Sequence, residues 1–265
     1  MNDAILFAVD AGLARITLNR PTRLNAFNAD LAHAWRDATT EATARHDVQA
    51  ILIDATGPAF CAGGDVIDMA TSFGGPEDIT ALAEVINAGI RSLTESSVPV
   101  AAAAHGTTAG GGLGILLSSD YAVVGSRSRL GSLYANIGLT PDLSVSAQLA
   151  RAVGQRRALQ LVLQDRLLSA QEAQDWGLVA ESVEGADAAD EAALVRVRGE
   201  EIARFWIAGA ADAYGQAKRL VRSQPERTFV EQLSEEARSI GAAMGTPEAQ
   251  ARIAAFAAAS ANKGA

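Results

Sequence analysis

The sequence predicts an α/β core followed by a helical C-terminal region, and three observations carry that expectation. Short β-type runs alternate with helically spaced apolar residues through the first two thirds of the chain. Beyond an acidic, alanine-rich segment, Glu184 to Glu191, helical patterns continue alone to the end. Two glycine-bearing turns interrupt the alternation, Ala59-Phe60-Cys61-Ala62-Gly63-Gly64-Asp65 and Gly110-Gly111-Gly112-Leu113-Gly114. A chain of 265 residues, 49% of them hydrophobic, buries a substantial core and suits one large domain or a domain with an appendage.

In chain order, Ile5 to Val9 and Ala14 to Leu18 read as a hairpin across Asp10-Ala11-Gly12, ended by Asn19-Arg20-Pro21. Leu31, Trp35, Ala38 and Ala42 recur at helical spacing behind Asn28, a preferred N-cap type. Ala50 to Ala55 reads as a buried strand. Leu82, Val85, Ile86, Ile90 and Leu93 mark a helix that leads to Pro99 and a small-residue strand, Val100 to Ala104. The glycine run, a helix through Ile115 and Leu116, and a strand from Tyr121 to Val124 come next. Ser169-Ala170-Gln171-Glu172 fits a capping box on a short helix ending at Trp176-Gly177, and Thr246-Pro247 opens the final helix. Strands separated by helices favour parallel pairing. A boundary near residue 190 divides a core, 1–190, from a helical region, 191–265.

Composition narrows the function. Twenty-four glycines beside 5% aromatics suit tight turns and not base-stacking platforms, and a formal charge of −9 offers no footprint for nucleic acid. Cys61 is the only cysteine, which excludes intrachain disulfides and suits a reducing compartment. The start, Met1-Asn2-Asp3-Ala4, has no secretory pattern, and no apolar run reaches about 18 residues. The expectation is a soluble, cytoplasmic protein with no membrane partner.

Two glycine turns can each aim a backbone N–H into one pocket, where paired donors stabilise an oxyanion on a carbonyl or thioester oxygen. Gly110 to Gly114 is not a dinucleotide fingerprint, because the GxGxxG spacing fails, and it lacks the Gly-Lys-Ser/Thr ending of a phosphate loop. Taken alone, the run equally permits simple close helix packing.

Together with Leu18-Asn19-Arg20-Pro21, Leu24-Asn25-Ala26, His105-Gly106, Gly138 to Asp142 and Trp176-Gly177-Leu178-Val179, these turns resemble the crotonase superfamily of enoyl-CoA hydratases and isomerases over nearly the whole chain. That resemblance implies a spiral of ββα units with a C-terminal helical trimerisation region, giving a homotrimer or a dimer of trimers. It implies an acyl-CoA substrate and no cofactor, coenzyme A being part of the substrate. It assigns the oxyanion hole to the N–H groups of Gly64 and Gly111, and the coenzyme A site to Arg23, Leu24, Ala26 and the backbone near Ala62. Arg23 also reads as an ordinary solvated cation.

Departures from the family pattern bear on the reaction. Its hydratases carry one glutamate two residues after the triple glycine and another after Leu130-Gly131, where this chain has Gly114 and Tyr134. Glycine moves no proton, and a phenol with a pKa near 10 is a poor base at neutral pH. Asp142 matches the catalytic aspartate of some isomerases of the family and of its aryl-CoA dehalogenases. A single carboxylate suffices to move a proton between two carbons of a thioester enolate. The same Asp142 also reads as a cap for a helix beginning near Ser144. The dehalogenases add a histidine where spacing puts Asn87, and a tryptophan where Tyr134 stands, so Tyr134 is expected to line the acyl pocket.

The remaining candidates are weaker. His105 reads as a structural hydrogen-bonding residue, Cys61 as a packing residue, and Asp65 as a helix cap with Asp68 one turn on. His33 and His46 lack partners at ligand spacing, so no metal site is expected. Alongside the isomerase reading stand a hydratase, a dehalogenase with altered residues, and an acyl-CoA-binding protein without catalysis. The stripe Ile253, Phe256 and Ala257 suits a helix that docks, either on its own subunit or on another.

Overall fold

β1 (Ile5–Asp10) and β2 (Leu13–Leu18) form the expected antiparallel hairpin, with Ala11 and Gly12 both at positive φ in the turn. That geometry matches the twist of the strands it joins. This computed structural model describes residues 3–164 and 166–263. α1 (Ala29–Ala44) starts at Asn28, whose side chain accepts from Leu31 N–H at 3.1 Å, and buries Leu31, Trp35, Ala38 and Ala42. β3 (Ala50–Ala55), buried along its whole length, runs parallel to β2.

α2 (Val66–Ser72) and α3 (Pro76–Glu95) precede β4 (Val100–Ala104), which lies parallel to β3. β5 (Thr107–Ala109) leads into α4 (Gly111–Leu117), and β6 (Tyr121–Gly125) returns beside β4. β7 (Arg129–Gly131), α5 (Val145–Val153), α6 (Gln155–Gln164), β8 (Leu167–Ser169) and α7 (Ala170–Asp175) follow; β9 (Glu181–Val183) then joins β6. α8 (Ala188–Ala208), α9 (Ala211–Ser223), α10 (Phe229–Met244) and α11 (Pro247–Lys263) complete the chain. Among the described residues the strands form a six-stranded sheet in the order β1-β2-β3-β4-β6-β9 and a three-stranded sheet, β5-β7-β8.

Alternation along the strands divides the core between the two faces of the larger sheet. Ile16, Ile51, Ile53 and Val124 join Phe27, Trp35 and Leu113 on one face. Leu13, Leu52, Ala101, Ala103 and Val123 meet Val195 and Ala203 of α8 on the other. The alanines of β4 let α8 ride close: a Cβ on Gly199 would stand 2.9 Å from Ala103 Cβ. The capping box foreseen at Ser169 and the N-cap foreseen at Thr246 both form, with Ser169 Oγ accepting from Glu172 N–H and Thr246 Oγ1 from Ala249 N–H. The three-residue strands β5, β7, β8 and β9 are too short to show alternation in the sequence.

α9 is tied back to the core by Lys218, whose Nζ donates to Leu93 O and Val98 O and pairs with Asp120 at 3.1 Å. α11 presents Ile253 and Phe256 to solvent, as α10 does Val230 and Ile240. Among the described residues no helix is long and apolar enough to cross a membrane, and no group of His, Cys, Asp or Glu is placed to hold a metal.

Candidate functional site

The first glycine turn is held by the chain that follows β2. Leu24 and Asn25 both take positive φ, and the fully buried Asn25 donates to Thr56 O at 2.9 Å and Ala59 O at 2.8 Å. Ala62 N–H donates to Leu24 O, Phe27 N–H to Gly63 O, and Asp65 N–H to Phe27 O, so residues 24–27 and 62–65 form one laced unit. Asp65 caps α2 through Asp68 N–H and accepts from Arg20 and Arg23. The Arg23 guanidinium holds its carboxyl at about 2, well below the usual range. Arg23 is therefore neither a free cation nor a wall of the cavity described below; its charge is committed to the turn.

That arrangement predicts a pH-dependent stability. Because the folded-state pKa of Asp65 is depressed, its contribution is present above about pH 4 and is lost as pH falls toward 2. Asp65→Ala is expected to cost about 1–2 kcal/mol at neutral pH through the lost cap and ion pairs. Denaturant melts of the two proteins at neutral pH and near pH 2 check it, with the difference shrinking at the acid end.

The second glycine turn abuts the first. Cys61 N–H donates to Thr107 O and Ala109 N–H to Cys61 O, which zips β5 against residues 61–63. Gly110, with φ 52° and ψ −125°, takes a backbone conformation that L side chains rarely adopt, and α4 begins at the next residue. A Cβ on Gly63 would stand 3.4 Å from Gly111 N, and one on Gly112 only 2.1 Å from Cys61 O. The glycines thus permit both the close packing and the approach of two donors. Among the described residues neither Gly64 N–H nor Gly111 N–H finds an acceptor in the chain.

Both turns open on a cavity of about 510 Å³ that Ala62, Gly64, Gly111, Tyr134 and Asp142 line together with apolar side chains of α2 and α3. Leu24 and Ala26 stand outside that lining; Leu24 O accepts from Ala62 N–H, while Ala26 N–H donates to Arg23 O and Ala26 O accepts from the Arg20 guanidinium. Tyr134 O–H donates to Asp142 Oδ1 at 2.5 Å. Burial pushes the Asp142 carboxyl above its ordinary range, and the Tyr134 hydrogen bond works against that rise. Burial and the facing carboxylate push the Tyr134 phenol far upward, so it remains a donor.

Asp142 does not cap a helix. α5 begins at Val145 behind Ser144, whose φ is 67° and whose side chain makes no cap, and Asp142 contributes only its backbone O to Val145 N–H. Gly114 marks more than a lost acid, because a Cβ there would meet Leu143 O at 2.1 Å. Asn87 is absent from the lining, to which α3 contributes Ile79, Thr80, Leu82, Ala83 and Ile86. Asp68 is absent too and accepts from Ser72 Oγ.

Cys61 is wholly buried and its thiol is pushed up to about 12. His105 donates from Nε2 to Gly57 O at 2.7 Å, and burial lowers its pKa. Sequence reasoning missed Met69, whose Cε lies 2.3 Å from where a Cβ on Gly64 would stand. Its position one helical turn after Asp65, beside Val66, was the available signal.

Chemically, this is a largely apolar cavity with two unpaired N–H groups and one carboxylate among the described lining residues. Asp142 is the single carboxylate among the described lining residues, and no cationic side chain lies there. Such a chamber suits a carbonyl oxygen that gains charge while one base moves a proton.

Comparison with known proteins finds relatives along nearly the whole chain. A family model described as enoyl-CoA hydratase/isomerase matches residues 8–260. The chain is similar to the trans-2-decenoyl-[acyl-carrier-protein] isomerase of Streptococcus mutans, 33% identical over 177 residues covering 66% of this chain and 67% of that one. It is similar also to the 1,2-epoxyphenylacetyl-CoA isomerase of Escherichia coli, 30% identical over 88% of this chain and 87% of that one. Among solved structures, an enoyl-CoA hydratase from Polaromonas superposes with a TM-score of 0.87 at 27% identity, with 96% of each chain covered. The architecture is the crotonase fold, its C-terminal helices included.

Proposed function

We propose that this chain, which belongs to the enoyl-CoA hydratase/isomerase family, is a double-bond isomerase of acyl-CoA thioesters. The observation that carries the reading is the pairing of two unpaired N–H groups, at Gly64 and Gly111, with a cavity whose single carboxylate among the described lining residues is Asp142. The thioester oxygen of a 3-enoyl group accepts from both N–H groups. Asp142 removes a proton from C2, the electron pair moves onto that oxygen to give an enolate conjugated with the C3=C4 double bond, and as the carbonyl re-forms C4 takes the proton back from Asp142 and the double bond settles at C2=C3. A 2-enoyl thioester results, with atoms and charge conserved. One oxyanion donor is worth roughly 3 kcal/mol in such a step.

Hydration needs a second acid, and Gly114 and Tyr134 supply none. Aryl dehalogenation needs a base at Asn87, which is an amide and lies outside the cavity lining. The coenzyme A carried by the substrate is then the only coenzyme involved. The exposed apolar residues of α10 and α11 support assembly of this chain as a homotrimer or a dimer of trimers.

The test is incubation with a 3-enoyl-CoA in deuterated water, followed by NMR. Double-bond migration is expected, with little water addition to a 2-enoyl-CoA. Rapid water addition would assign a hydratase, and binding without turnover an acyl-CoA-binding protein; either result overturns the isomerase.

A further inference from the structure

We infer that Tyr134 positions Asp142: its phenol O–H holds one carboxylate oxygen and leaves the other to meet the substrate. This rests on the reading of Asp142 as the base. The two residues flank a short 3-10 turn, Ala135–Ile137, and Gly138 at φ 74° folds the loop back on itself. Leu139 N–H donates to Tyr134 O, so the two ends of the loop are fixed by backbone before their side chains meet. Tyr134 O–H and Asp142 Oδ1 lie 2.5 Å apart, and among the described residues neither side chain bonds another side chain.

Both groups line the cavity, which gives the contact its chemical weight. A carboxylate in an apolar chamber takes up a proton unless something stabilises its charge. No lysine, arginine or histidine lines this one among the described residues. The titratable groups facing Asp142 reduce to Tyr134, with Cys61 behind it kept neutral by burial. A phenol is a suitable partner because it donates one hydrogen bond without bringing a positive charge. A cation would stabilise the carboxylate so far that it became a weaker base, and an apolar side chain would leave the upward push of burial unopposed. Tyr134 occupies the middle ground, opposing the upward push of burial while its own proton stays in place. With Oδ1 held, Oδ2 is the oxygen left to take the proton from one carbon and return it to another.

The experiment compares Tyr134→Phe with the unmodified enzyme in the pH dependence of kcat/KM for double-bond migration, alongside equilibrium binding of a saturated acyl-CoA. The base must be ionised, so losing its donor moves the acidic limb to higher pH, by about one unit for a tenfold change in the protonation constant. kcat should fall about tenfold, with binding changed less than about twofold. Fluorotyrosine incorporated at position 134, with a more acidic O–H, should move the limb the other way without changing the packing. An unshifted limb in both enzymes would overturn the role of Tyr134 and leave Asp142 as the base. Full activity in Asp142→Asn would overturn both assignments.

Discussion

Asp142→Asn is expected to lower double-bond migration by about 10²- to 10⁴-fold in kcat, the usual contribution of a positioned base, while acyl-CoA binding persists. Asparagine keeps the volume and an oxygen that accepts from Tyr134 O–H, so the loop between them is retained; only the basicity goes. The same substitution should stabilise the fold. Burial raises the folded-state pKa of Asp142 above its unfolded value, so folding is opposed once pH exceeds the unfolded pKa, and the penalty is complete above the folded one. At neutral pH the Asn variant should therefore melt about 2–4 °C higher, with the gap closing below about pH 4. Steady-state rates, a binding isotherm and a melt at two pH values check the set. Unchanged turnover, or a variant less stable at neutral pH, would contradict the picture of a buried base held ready at a cost to the fold.

How much of this was legible in the sequence depends on distance along the chain. The long elements were visible because their periods are local: β3 and β4 fall where their apolar runs lie, and α1 starts at Asn28. The two glycine turns pointed to paired donors before their meeting was visible, since few other functions ask for glycine at both places. What stayed hidden were contacts between remote segments. Asn25 lacing residues 56–59, Lys218 reaching back to Leu93, and Gly199 admitting α8 onto β4 leave no periodic trace. Asp142 shows the limit most plainly. A Pro-Asp pair before a helix reads as a cap as well as a catalytic acid, and the choice depends on Leu143 and Ser144, whose positive φ turns the chain before α5 begins. Neither is a residue type that advertises such a conformation.

Gly114→Glu, which restores the acid that hydratases of the family carry at this position, should not restore hydration and should instead destabilise the protein by more than about 3 kcal/mol. α4 is buried at every position, and Leu143 O lies 2.1 Å from where a Cβ on Gly114 would stand. The obstacle is backbone and not the end of a flexible side chain. Either residues 142–144 withdraw, taking Asp142 and its bond to Tyr134 with them, or α4 shifts away from Cys61, against which Gly112 is packed just as closely. Each escape spoils one half of the site. Gly114→Ala should show most of the same loss, because the Cβ alone makes the clash. Gly138→Ala provides the contrast: φ is 74° but nothing lies within 4 Å of a Cβ, so only the conformational cost of about 1 kcal/mol remains. Denaturant unfolding of the three variants measures that ranking, and water addition to a 2-enoyl-CoA tests the chemistry. A stable Gly114→Glu enzyme that hydrates would show that the loop from Asp142 to Ser144 yields easily, and that an acid at 114 suffices for hydration without a second glutamate at 134.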